Sequence, residues 1–97
     1  MQTTRAFIYI LANKNHSVLY IGVTADLKAR TWEHSGRNTK ISFTARYNIN
    51  KLVYFEEFES ITRAIRREKY IKGKNREWKI DLINTKNPFW LDLYLTL

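Results

Sequence analysis

The sequence predicts a small α/β (α+β) fold, a three-stranded mixed sheet with flanking helices in the order β-β-α-β-α-α. Three observations lead there. Short β-branched and aromatic runs stand at residues 7–11, 18–22 and 52–55. Stretches with apolar residues at three- and four-residue steps lie between and after them. The 97 residues are 44% hydrophobic and 14% aromatic, which suits one modest core, so residues 1–97 read as a single domain. There is no repeat or composition break, and the one proline, Pro88, marks no linker.

In Phe7-Ile8-Tyr9-Ile10-Leu11 both parities are apolar, as in a strand covered on both faces. A polar turn, residues 12–17, leads to a second strand, Val18-Leu19-Tyr20-Ile21-Gly22. If Leu11 lies opposite Val18 in an antiparallel hairpin, Tyr9 falls opposite Tyr20 and the two phenols lie side by side. A six-residue turn does not fix that register, and an aromatic cross-strand pair also serves plain packing. Thr24 or Asp26 can cap a helix running to about Ser35, with Gly36 as its stop. Arg30 and His34, four apart, share one side of that helix and can reach a common point.

Residues 36–50 read as a long loop in which Arg37, Lys40 and Arg46 surround Phe43 and Tyr47, a mixture suited to phosphate contact and base stacking. The same two rings could equally pin the loop to the core. Leu52-Val53-Tyr54-Phe55 is the third strand, followed by the acids Glu56, Glu57 and Glu59. Ser60 can cap a helix over 61–72 that Gly73 ends. Asn75 starts a third helix carrying Trp78, Leu82 and Ile83. Asn87-Pro88 reads as an N-cap followed by a proline at the first position of a short terminal helix.

Seventeen Lys and Arg against nine Asp and Glu give a formal charge of +8, which favours polyanions, nucleic acid first. Eight of those seventeen lie between Arg63 and Lys79, where Arg67 and Lys72 are candidate phosphate contacts beside Lys40, Arg46 and Tyr47. With no cysteine, disulfides and thiolate metal sites are excluded, and a reducing compartment is the natural fit. The apolar run 6–12 is too short to span a membrane and lacks a signal-peptide pattern, so the expected location is cytoplasmic.

One feature breaks the local rules. In the helix over 61–72, Ile61, Ala64, Ile65, Glu68 and Ile71 share a stripe, which sets a carboxylate among core-facing positions of a basic helix. A glutamate at the stripe's edge paired with a cation is the plain alternative. Together, Phe7-Ile8-Tyr9, Tyr20-Ile21-Gly22, Arg30, His34, Glu68 and Asn87 resemble the ordered motif set of the GIY-YIG nuclease superfamily. The likeness is to its small stand-alone members, related to the nuclease module of the UvrC excinuclease subunit and to homing endonucleases, and spans Phe7 to about Leu95. The chain departs from the pattern with Phe7 in place of the first glycine. It also has Val23 where some members carry lysine, which shifts weight to Arg30.

The resemblance implies a Mg²⁺- or Mn²⁺-dependent endonuclease that hydrolyses phosphodiester bonds in DNA, serving repair, recombination or a mobile element. It implies Glu68 as metal ligand, Tyr9 or Tyr20 as the group that orients and deprotonates water, and Arg30 against the developing phosphoryl charge. His34 would hydrogen-bond a phosphate oxygen or relay a proton, and Asn87 would help to hold the site. From the residues alone, Asn87 is first a capping residue. The alternative expectation is a non-catalytic nucleic-acid-binding module on the same fold, which the charge supports equally.

Overall fold

The computed structural model describes residues 5–32, 49 and 51–97. The expected end of the first helix, the basic aromatic loop, and with them His34, Lys40, Arg46 and Tyr47, lie outside the described residues. The elements are β1 (Ala6–Ala12), β2 (Leu19–Thr24), α1 (Leu27–Trp32), β3 (Lys51–Phe58), α2 (Ile61–Lys72), α3 (Arg76–Lys86) and a terminal 3₁₀ helix (Leu93–Thr96). The strand order is β2-β1-β3, and both pairings are antiparallel. The sheet is thus not mixed: β1 sits between its neighbours and runs against each.

β1 is buried on both faces, as its unbroken apolar run requires. Ile8 and Ile10 face α2 and α3, in a core with Ile21, Val53, Ala64, Ile71 and Ile83. Tyr9 and Leu11 face the other way, packed with Leu27, Ile49 and Leu52 and bordered by Tyr20, Leu93 and Tyr94. The terminal segment therefore crosses to the tyrosine face. Asp92 anchors it by accepting from the Leu52 and Tyr94 amides at 3.2 and 3.1 Å.

The hairpin register differs from the expected one by two residues. Tyr9 lies opposite Gly22 and Leu11 opposite Tyr20. A slip of two keeps every side chain on its face, so Tyr9 and Tyr20 remain neighbours, now diagonal. β3 runs to Phe58, which brings Glu56 and Glu57 into the sheet instead of after it. Glu56 then faces the α2 side, where the Arg67 guanidinium donates to both of its carboxylate oxygens at 3.0 Å and the Tyr54 hydroxyl donates to one of them. Burial pushes the Glu56 carboxyl up, but these hydrogen bonds and the charges of Arg67 and Lys86 hold it below its usual range.

α2 has the predicted bounds. Ser60 accepts from the Arg63 amide at 3.3 Å, and the Gly73 amide returns to the Lys69 carbonyl at 3.1 Å. Its buried stripe is narrower than predicted: Ala64 and Ile71 are fully buried, whereas Ile61 and Ile65 are 39% and 36% exposed. The Glu56–Arg67 pair explains the rotation, since it draws the Arg67 flank toward the sheet and turns Ile61 and Ile65 outward.

Asn87 is the C-cap of α3 and not the N-cap of a following helix. Its amide donates to the Val53 and Leu91 carbonyls, each at 2.9 Å, and its oxygen accepts from the Leu91 amide at 3.0 Å. Residues 88–89 form a turn, and the 3₁₀ helix begins after Asp92. No helix among the described residues is long and apolar enough to cross a membrane.

Candidate active site

The site is built around a missing side chain. A Cβ placed on Gly22 would fall on the Tyr9 hydroxyl and Cζ. Only glycine lets that ring lie across β2, which carries the hydroxyl from the central strand toward the free edge of the sheet. Tyr20, two residues before Gly22 on the same face, sets its ring 6.3 Å from the Tyr9 ring, centroid to centroid, with 31° between planes. Tyr9 is buried, and Tyr20 is half-buried.

α1 supplies the cation. Asp26 accepts from the Ala29 amide at 3.1 Å and Thr24 braces the same turn, so the helix starts immediately beyond β2. Leu27 anchors it in the Tyr9 core, and Arg30, three residues on, lies close enough for its charge and N–H groups to favour the ionised Tyr9 phenol. Burial, with Tyr20 adding to it, pushes the Tyr9 phenol up to about 12, and Arg30 opposes that rise only in part. At neutral pH Tyr9 is therefore a protonated phenol that can donate a hydrogen bond.

α2 supplies the carboxylate. The helix packs against both β1 and β2. At about 100° per residue, Glu68 and Lys72 fall on one flank of the Ala64–Ile71 stripe, and Arg67 falls on the other. Glu68 pairs with Lys72 at 3.1 Å, its side chain 15% exposed against 53% for the lysine. Its charge reaches Tyr9, where it adds to the rise of the phenol. On the same flank, a groove of about 360 Å³ at the β2 edge is lined by Leu19, Tyr20, Ile21, Lys72 and Lys79.

Of the residues singled out from sequence, Tyr9, Tyr20 and Arg30 gather at the hairpin, the Glu68 charge acts on Tyr9 while its carboxylate pairs with Lys72, and Lys72 lines the Tyr20 groove. Asn87 stands apart: 4% exposed, it spends its side chain on backbone groups of β3 and the terminal segment. Arg67 is committed to Glu56. Lys79 was not singled out, although it ends the basic stretch whose density drew attention, and only the packing of α3 shows that it lines the Tyr20 groove.

Comparison with known proteins identifies the family and the fold. A model of the GIY-YIG catalytic domain matches residues 5–81. A UPF0213 protein of Clostridium perfringens (strain 13 / Type A) is 40% identical over 81 residues, covering 84% of this chain and 85% of that protein. One from Staphylococcus haemolyticus (strain JCSC1435) is 37% identical over 81 residues, covering 82% and 95%. The solution NMR structure of a UPF0213 protein from Bacillus halodurans is similar with a TM-score of 0.57 at 27% identity, over 91% of this chain and 92% of that one. With the domain model spanning residues 5–81 and a relative 40% identical over most of both chains, the chain belongs to the GIY-YIG family.

Proposed function

We propose that this protein is a divalent-metal-dependent endonuclease that hydrolyses phosphodiester bonds in DNA. The observation that supports the reading is that two neighbouring phenols and a guanidinium from three elements sit together within reach of the Glu68 charge from a fourth. A packing role alone asks for neither the Arg30 charge on a buried phenol nor an acid on that flank of a basic helix.

The donor set fits one hard cation. Among the described residues no group of three or more His, Cys, Asp or Glu side chains gathers, which does not suit a two-metal clamp. A single carboxylate suits Mg²⁺ or Mn²⁺, since magnesium keeps most of its waters. Glu68 would hold it, with the exposed Lys72 ammonium swinging away to the phosphates. A cation held there would supply Lewis-acid polarisation of the phosphate and would screen the departing 3′ oxygen.

The chain's own groups do the rest. Arg30 meets the charge that grows on the phosphoryl oxygens. Tyr9, held protonated by burial, donates a hydrogen bond and fixes the geometry. Tyr20, the less buried phenol, is left to orient the attacking water and to take its proton as general base. Lys72 and Lys79 hold the backbone along the groove. His34 is assigned to a phosphate oxygen, and Lys40, Arg46 and Tyr47 to the strand beyond it. Asn87 supports the site from a distance through the β3 backbone.

The test is nicking of supercoiled plasmid. Purified protein cuts with added Mg²⁺ or Mn²⁺ and not with EDTA, and Glu68→Gln loses cutting while binding DNA within about twofold of the parent. Binding without cleavage of supercoiled, linear, branched and single-stranded DNA under all metals returns the alternative, a binding module on this fold.

A further inference from the structure

We propose that the flank of α2 turned away from Glu68 is a second nucleic-acid surface, which takes a single-stranded segment with a base on Tyr70 and its phosphates on Arg63 and Arg66. The inference stands apart from the cleavage reading, because it uses no residue of the Tyr9–Tyr20–Arg30–Glu68 group. At about 100° per residue, Arg63, Arg67 and Tyr70 lie across the buried Ala64–Ile71 stripe from Glu68 and Lys72. A ligand here does not occupy the groove beside Tyr20.

The surface is an open groove of about 450 Å³ lined by Arg63, Arg66, Arg67 and Tyr70. Tyr70 is 51% exposed, a large ring left in water on a helix that buries smaller residues. It is nonetheless held in place. Trp78 of α3 meets it edge-on at 5.8 Å and 78°, and the Lys74 ammonium and Arg67 guanidinium lie 4.5 and 5.6 Å from its centre. A ring held by a perpendicular indole and by cations over it has little side-chain freedom left to lose, and a base stacks on it by displacing the mobile Lys74 ammonium.

The charges sort themselves by partner. Arg67 is neutralised by Glu56. Among the described residues, no acid pairs with Arg63 or Arg66, both exposed. Two guanidinia without carboxylates beside a half-open ring match a phosphate backbone whose bases are unpaired. A duplex would engage the two arginines and leave Tyr70 idle, because its base faces are already stacked. An acidic protein segment would likewise use the cations and not the ring.

The experiment is fluorescence anisotropy of labelled oligo(dT) and of a duplex of equal length, in EDTA so that no cleavage contributes. Arg63→Gln/Arg66→Gln is expected to bind oligo(dT) at least tenfold more weakly and to lower the slope of log K against log salt by about 1.4. Tyr70→Ala is expected to lose at least about fivefold on oligo(dT), to stay within twofold on the duplex, and to be rescued by Tyr70→Phe. Circular dichroism melts of each variant check that the fold is intact. Tyr70→Ala binding oligo(dT) like the parent overturns the proposal. So do equal losses on duplex and single strand, or displacement of oligo(dT) by polyglutamate as readily as by unlabelled oligo(dT). Loss of nuclease activity elsewhere leaves these readings unchanged, so the two proposals fail separately.

Discussion

Gly22→Ala places one methyl group where the Tyr9 ring already lies. The new Cβ overlaps the hydroxyl and Cζ and comes within 3.0 Å of Cε2. Tyr9 is 1% exposed and its core neighbours Leu11, Leu27, Ile49 and Leu52 are equally enclosed, so the ring has no vacant side to move into. Overpacking of this kind costs about 1–3 kcal/mol, moderated here because β2 is an edge strand that can shift outward. At an open position the same change would stabilise a strand by about 0.5–1 kcal/mol, because glycine loses more backbone freedom on folding. The two effects have opposite signs, so the direction of the result decides. For a domain of 97 residues the clash is expected to lower Tm by about 4–24 °C, at roughly 4–8 °C per kcal/mol. The assay is thermal denaturation of Gly22→Ala, Tyr9→Leu and the double variant. In the Tyr9→Leu background the alanine should be close to neutral, giving a coupling of about 1–2 kcal/mol. A single Gly22→Ala variant as stable as the parent, or one whose loss persists unchanged beside Tyr9→Leu, would refute the placement of the ring and the register behind it.

Three further changes separate the groups that hold the fold from those assigned to chemistry. Glu56→Gln removes the acceptor of the Arg67 fork and should cost about 1.5–3 kcal/mol at pH 7, read by urea titration. Because the folded Glu56 carboxyl sits below its unfolded value, its contribution is complete above the ordinary carboxylate range and is lost as pH falls through the folded value, so the variant should show a shallower acid limb. The His16 ring, stacked on Trp90 at 4.4 Å with Lys51 3.3 Å from Nε2, is held below the ordinary imidazole value by burial and by that ammonium. The unfolded chain then protonates first as pH drops below about 6.5, stability declines there, and His16→Gln should remove that part of the decline. Asn87→Ala leaves two carbonyls and an amide without their partners and should cost about 1–3 kcal/mol in a melt, while the parent's divalent-ion requirement for nicking is unchanged.

What the sequence made legible follows from local physics. The unbroken apolar run of β1, the Ser60 and Asn75 caps and the Gly73 stop are local signals, and each stands where the pattern puts it. The side-by-side phenols survive a wrong register because faces repeat every two residues and the error was two. Other features depend on contacts that sequence spacing does not encode. The antiparallel sense of β3 depends on how the chain returns from α1, and the length of that connection alone does not determine it. The Arg67 fork to Glu56 joins residues eleven apart and turns α2, which is why Ile61 and Ile65 are exposed although their periodicity matches that of Ala64 and Ile71. Asn87 looked like a cap and is one, but for the preceding helix, because its amide is drawn into β3. In the sequence Gly22 marks only a strand's end; the Tyr9 ring lying over it gives the residue its reason.

The proposed function requires Glu68 to bind one divalent cation within reach of the β2 edge. Paramagnetic broadening measures this directly: Mn²⁺ is titrated into ¹⁵N-labelled protein and amide intensities are followed. Selective loss is expected at Glu68 and its helical neighbours and at Tyr20 and Gly22, with both losses absent in Glu68→Gln. Broadening confined to Glu57 and Glu59, or identical in the parent and Glu68→Gln, would contradict it.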